Sequence, residues 1–232
     1  LERHGLRVEP PANVIADLFA TPDDARAGAA VEGFEQPIVL FPGSRAGAYA
    51  SAAFLLDVAR RVAHARPDAG SVLSVARGLD AGEFEAIARR CGWDVAATTD
   101  EAIPFTLASA GRIGARAWRG AIGPLLRRAA LVLGQAGTAN EAAAAAGVPV
   151  VAFEPPGRDS GWYRKRQSGL LGDAMTVLPA ESESAAAGVS ALLDDPLRRA
   201  RMAAAGKARI GESGAARRVA ERIAAVATPA QC

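Results

Sequence analysis

Two short glycine-containing stretches carry the residue types that chemistry needs. Residues 134–141 read Gly-Gln-Ala-Gly-Thr-Ala-Asn-Glu, and residues 42–45 read Pro-Gly-Ser-Arg. Each follows a short apolar run and precedes a helix-forming stretch, an order that reads as strand, glycine loop, helix. Such a loop points the free N–H groups of a helix's first turn, and the positive end of its dipole, past the end of the strand, where an anion is stabilised. Ser44 adds a hydroxyl and Arg45 a guanidinium suited to bidentate phosphate binding. Gly43, Gly137 and Thr138 complete the candidate set around these loops. Neither loop is followed by Lys-Ser or Lys-Thr, and neither reads Gly-x-Gly-x-x-Gly, which disfavours ATP hydrolysis and a standard dinucleotide site. Taken alone, Gly-Ser-Arg is also compatible with an ordinary tight turn. The second loop on the same sheet edge tips the reading toward phosphate.

Two further residues near these loops have open readings. Glu141 stands either as a dipole-favoured or capping-box partner of Thr138, or as a carboxylate accepting from ribose hydroxyls beside a diphosphate. Asn140 is either an exposed helix residue or a ligand-facing amide. Residues 155–167 mix Pro-Pro-Gly and Ser-Gly with Trp162, Tyr163, Arg164, Lys165 and Arg166. This reads as a mobile loop, either solvated and basic or placed against an anionic lipid surface or a nucleotide sugar, with Gln167 at its functional end. His4 and His64 are expected to be non-catalytic.

The elements that must position these residues alternate along the chain. Apolar runs at 37–41, 71–76, 94–97, 112–118, 130–133, 148–153 and 174–178 read as strands. Helical periodicity occupies 48–65, 81–90, 120–128, 138–146, 182–193, 195–210 and 215–227. The expected fold is therefore α/β, a three-layer structure on a mainly parallel sheet, with ligands at the strand C-termini. Residues 1–36 lack periodicity and read as a connector, 37–194 as the nucleotide-binding domain and 195–232 as C-terminal helices.

Composition bounds the rest. The 232 residues are 50% hydrophobic and 22% charged, ordinary for a globular chain able to bury a sizeable core. A formal net charge of +2 does not call for nucleic acid. No run approaches the ~20 apolar residues of a membrane span, and the first residues lack the apolar core of a signal peptide. A cytoplasmic location follows as the expectation. With only Cys91 and Cys232, and two histidines far apart, neither a disulfide framework nor a zinc site is expected.

Phe41-Pro42-Gly43-Ser44-Arg45, the helix start Gly137-Thr138-Ala139-Asn140-Glu141, Gly147-Val148-Pro149-Val150-Val151, and Gln167 followed by Leu170-Leu171-Gly172 together resemble the C-terminal half of lipid-A-disaccharide synthase and its related proteins. Residues 12–17, Ala-Asn-Val-Ile-Ala-Asp, are similar to the segment joining the two domains of that family, although Ala12 and Val14 stand where the family has Gly and Pro. The region after Phe153 is lengthened by Arg158-Asp159-Ser160. The resemblance implies a Rossmann-like half of a GT-B glycosyltransferase fold. In it Ser44, Arg45, Gly137 and Thr138 would meet the diphosphate of a UDP-sugar, Glu141 its ribose and Gln167 its sugar. It implies no metal and no cofactor beyond that donor substrate. The partners implied are an N-terminal Rossmann-like domain carrying the catalytic base, a lipid acceptor and the inner membrane surface. No catalytic residue is assigned on this chain, which alone is expected to be inactive. A UDP-N-acetylglucosamine epimerase-like enzyme and a non-catalytic GT-B-like binding domain are the alternatives.

Overall fold

The computed structural model describes His4, residues 13–153 and residues 160–227. A 3-10 turn, Val14–Phe19, leads to helix α1 (Ala25–Val31), and the chain then alternates: β1 (Gln36–Phe41), α2 (Ala48–Ala65), β2 (Ala69–Ser74), α3 (Ala81–Arg90). A meander follows in β3 (Asp94–Ala97), β4 (Phe105–Ser109) and β5 (Arg112–Trp118). Next come α4 (Ile122–Leu126), β6 (Leu131–Gly134), α5 (Gly137–Ala145), β7 (Val150–Phe153) and α6 (Ser160–Leu171). A 3-10 turn, Gly172–Ala174, enters β8 (Met175–Leu178), and α7 (Ser182–Leu193), α8 (Pro196–Ile210) and α9 (Ala215–Ala227) complete the order.

The eight strands form one sheet in the order β3-β4-β5-β2-β1-β6-β7-β8. Pairing is parallel from β5 to β8 and antiparallel for β3–β4 and β4–β5. Alternation along β1 sorts its side chains to two cores. Ile38 and Leu40 join α2, α3 and α7 on one face, whereas Val39 and Phe41 join α1, α4 and α5 on the other. This is the three-layer α/β architecture expected, with β4 as an added strand. Phe105 and Leu107 of β4 are fully buried, and the β4–β5 hairpin turns at Ala110 and Gly111, both at positive φ as a two-residue type I′ turn requires.

Two expectations are corrected. Residues 1–36, expected as a connector, contribute to the core: Ala16, Ala27 and Ala30 are fully buried in the second core. Small residues fill the narrow space there, and so leave no large-hydrophobe signal in the sequence. The basic segment 155–167, expected as a loop, is helical from Ser160. Residues 154–159 lie outside those described, as do the side chains of Trp162, Tyr163 and Arg164.

Candidate functional site

Strand order brings the two glycine loops together. From central β1 the chain moves outward to β2 and later returns to β6 on the other side, so a crevice opens above the C-terminal ends of β1 and β6. Register pairs Phe41 with Gly134, so both loops leave the sheet at one level. A cleft of about 800 Å³ stands there. Among the predicted residues, Gly43, Ser44, Arg45, Gly137, Thr138, Glu141 and Gln167 line it together.

Backbone geometry explains each loop. Gly43 lies at φ +119°, a conformation side chains rarely adopt, and it lets the chain turn from β1 so that Ser44 and Arg45 stand exposed at the rim. At the second loop, α5 begins at Gly137 with Ala136 as its N-cap, and no side chain caps it. The amides of the first turn have no intrahelical acceptor, so Gly137 and Thr138 present donors without an acceptor among the described residues, at the positive end of a nine-residue helix. A capping box between Thr138 and Glu141 is therefore not formed: Thr138 sits inside the first turn, not at its cap, and Glu141 is left half-buried on the cleft wall.

Gln167 on α6 is 2% exposed and lines the same cleft. Its side-chain nitrogen lies 3.6 Å from where a Cβ on Gly137 would stand, so the carboxamide packs on the helix start. Its Oε1 is buried with no hydrogen-bond partner among the described residues. Leaving such an oxygen unmatched costs roughly 1–3 kcal/mol, and a hydroxyl or amide donor from a ligand would recover it.

Asn140 departs from both of its readings. It is 0% exposed, lies outside the cleft lining, and donates from Nδ2 to the Gly134 carbonyl at 3.1 Å. At the fourth position of α5 its side chain turns with Ala143 and Ala144 toward the core.

Arg77 and Arg119, beyond the ends of β2 and β5, also line the cleft and were not singled out in the sequence. Their signal was available: each is a cation within three residues of a strand's C-terminal end. The Arg119 guanidinium donates to the carbonyls of Arg77 and Leu79, both at 3.0 Å, which ties the loops after β2 and β5 together. Arg77 stays exposed. With Arg45 and Arg166, four arginines face one carboxylate, Glu141, among the described lining residues. The described lining therefore carries an excess of positive charge, an environment that favours anions.

No protein-family model matches the chain, and no curated protein matches it. Solved structures do. A UDP co-structure of MnaA from S. aureus superposes with a TM-score of 0.62 at 16% identity, covering 90% of this chain and 52% of that one. The UDP-GlcNAc 2-epimerase from Neisseria meningitidis bound to UDP-GlcNAc gives 0.55 at 13% identity, covering 86% and 47%. A spinosyn rhamnosyltransferase complexed with thymidine diphosphate gives 0.53 at 19% identity, covering 87% and 48%. The chain thus spans about half the length of the structures it matches. At such identities the likeness concerns the fold. None of these three is a lipid-A-disaccharide synthase, so the resemblance read in the sequence stands at the coarser level: the chain has the Rossmann-like α/β architecture of one half of a GT-B structure.

Proposed function

We propose that the cleft above β1 and β6 binds a nucleoside-diphosphate sugar, and that the chain acts as the donor-binding half of a glycosyltransferase akin to lipid-A-disaccharide synthase. In this reading a hexosamine-type sugar passes from UDP to a lipid-linked acceptor at the cytoplasmic membrane face. The observation that carries the proposal is the uncapped start of α5, opening on the cleft that Ser44 and Arg45 also line, beside the buried Oε1 of Gln167, which has no partner among the described residues. The diphosphate would rest on the Gly137 and Thr138 amides and the Arg45 guanidinium. The Glu141 carboxylate would accept from ribose hydroxyls, and Gln167 would meet the sugar. These donors are fixed before reaction, so negative charge growing on the departing diphosphate is stabilised without reorganisation. That chemistry uses helix dipole and basic side chains and needs no metal ion. The base that activates the acceptor would come from a second Rossmann-like half.

A second reading is favoured by the UDP-N-acetylglucosamine 2-epimerases among the similar structures: on it, this cleft would serve sugar epimerisation without an acceptor. That chemistry needs acid–base groups, and the described cleft lining offers one carboxylate, Glu141, and no histidine. A third reading keeps the site as a binding domain without turnover.

Isothermal titration of the chain with UDP tests the site. Expected is binding that weakens about tenfold or more in Arg45→Ala and in Glu141→Ala, the scale of losing a charge-assisted contact. Absence of binding by folded wild type at millimolar UDP would overturn the donor-site reading for this chain. Interconversion of UDP-sugar epimers without acceptor would favour the second reading over the first.

A further inference from the structure

Between β6 and α5 the chain turns through Gly134, Gln135 and Ala136, and three hydrogen bonds fix that turn. The Gln135 amide donates to the Phe41 carbonyl at 3.0 Å, its side-chain amide donates to the Phe153 carbonyl, and Asn140 Nδ2 reaches back from α5 to the Gly134 carbonyl at 3.1 Å. The Asn140 side chain is fully buried. It lies so close to the strand end that a Cβ on Gly134 would stand 2.8 Å from Asn140 Oδ1 and 2.8 Å from Phe41 Cβ. Glycine at 134 and asparagine at 140 therefore fit as a pair. The N-cap, Ala136, offers no side-chain acceptor, so no cap residue orients the first turn.

We propose that Asn140 is a positioning residue: by holding the Gly134 carbonyl it sets the direction in which the Gly137 and Thr138 amides enter the cleft, without touching the ligand itself. The proposal rests on the nucleotide-sugar reading above for what those amides bind, but not for the clamp. An apolar side chain at 140 leaves the Gly134 carbonyl without its side-chain donor and loosens the turn, which the two Gln135 bonds then hold alone. Anion-binding donors lose affinity steeply when misplaced by about 1 Å.

The test combines amide exchange and UDP titration on the full chain. Wild type is compared with Asn140→Leu, Asn140→Ser and a destabilised control distant from the turn, Leu192→Ala on α7, where Leu192 is 1% exposed. The reporters are the amides of Gln135 and of position 140, which donate to the Phe41 and Ala136 carbonyls, read as a ratio to the β6 amides of Leu131 and Val132. Expected is a ratio that rises about tenfold in both Asn140 variants and stays at the wild-type value in the control, with UDP affinity about tenfold weaker only in the Asn140 variants. Serine is too short to reach the carbonyl, so it carries the same reading should the leucine variant not fold. An unchanged exchange ratio, or wild-type UDP affinity despite a changed ratio, overturns the proposal. If wild type binds no UDP, the nucleotide-sugar reading falls and the exchange ratio alone decides the clamp.

Discussion

Gln167 and Gly206 show single residues acting on stability in opposite directions. The Gln167 carboxamide is buried with Oε1 unmatched among the described residues. Gln167→Leu is expected to stabilise the free chain by about 0.5–1 kcal/mol while weakening UDP-sugar binding and leaving UDP binding unchanged. Urea midpoints beside paired titrations check this, and equal losses for UDP and UDP-sugar would remove Gln167 from the sugar. Gly206 on α8 faces α5 so closely that a Cβ would meet the Ala144 carbonyl oxygen at 2.3 Å, a backbone atom that cannot swing aside. Gly206→Ala should cost about 1–3 kcal/mol by forcing the helices apart, read as a lower urea midpoint with an unchanged slope. The sequence disclosed the glycine loops because turn chemistry and flanking apolar runs are local. Asn140 was illegible for a specific reason: most of α5 after Asn140 and Glu141 is alanine, which carries no polar–apolar contrast to mark the inward face.

At the level of elements, the start of a helix and the start of a strand are each held by a carboxylate whose charge is tied to the fold. Glu181 caps α7, and bonds from the Ser184 hydroxyl and from the Ser184 and Glu183 amides pull its pKa from 4.5 to about 2. Asp68, at the start of β2, is lowered from 3.8 to about 2 by the Arg66 guanidinium first and the Gln36 amide second. A carboxylate depressed in the folded state contributes in full above its unfolded pKa and loses that contribution as pH falls through the folded value. Stability should therefore drop between about pH 4.5 and pH 2. Glu181→Gln should flatten that drop, and a wild-type urea midpoint constant across the window would contradict it. Long periodic elements such as α2 and α8 were readable, since Leu55, Leu56, Val58 and Val62 recur on one face of α2 and Asp195-Pro196 marks the start of α8. Strand β4 was not, because Phe-Thr-Leu-Ala-Ser is short and half polar, and its Ala110-Gly111 turn lacks the Asn-Gly signature of a two-residue hairpin. For α6, glycine and serine suggested a loop, yet Gln167 and Leu171 are buried, and that packing outweighs weak helical propensity.

For the molecule as a whole, α9 stands apart from the other helices. It meets the body at its first turn, where the Asp17 carboxylate accepts from the amides of Gly214 and Ala216, and from Ala216 onward its described residues are exposed. Val219, Ile223 and Val226, spaced four and three residues apart, form one stripe that is 54%, 65% and 87% exposed. A thirteen-residue helix is marginal in water on its own, and its stripe contributes little to this chain's packing. No helix among the described residues is long and apolar enough to cross a membrane, so the stripe is a surface feature and not a span. Replacing Val219, Ile223 and Val226 together by serine should therefore leave the urea midpoint within about 0.5 kcal/mol of wild type, as for exposed positions generally. The same triple variant should bind less of a hydrophobic dye such as ANS and keep wild-type UDP affinity, because the cleft draws none of its lining from α9. A large loss of stability would instead mean that the stripe packs within the chain, and unchanged dye binding would move the exposed apolar surface elsewhere, with Val14, 54% exposed, and Leu197, 72% exposed, the next positions to substitute.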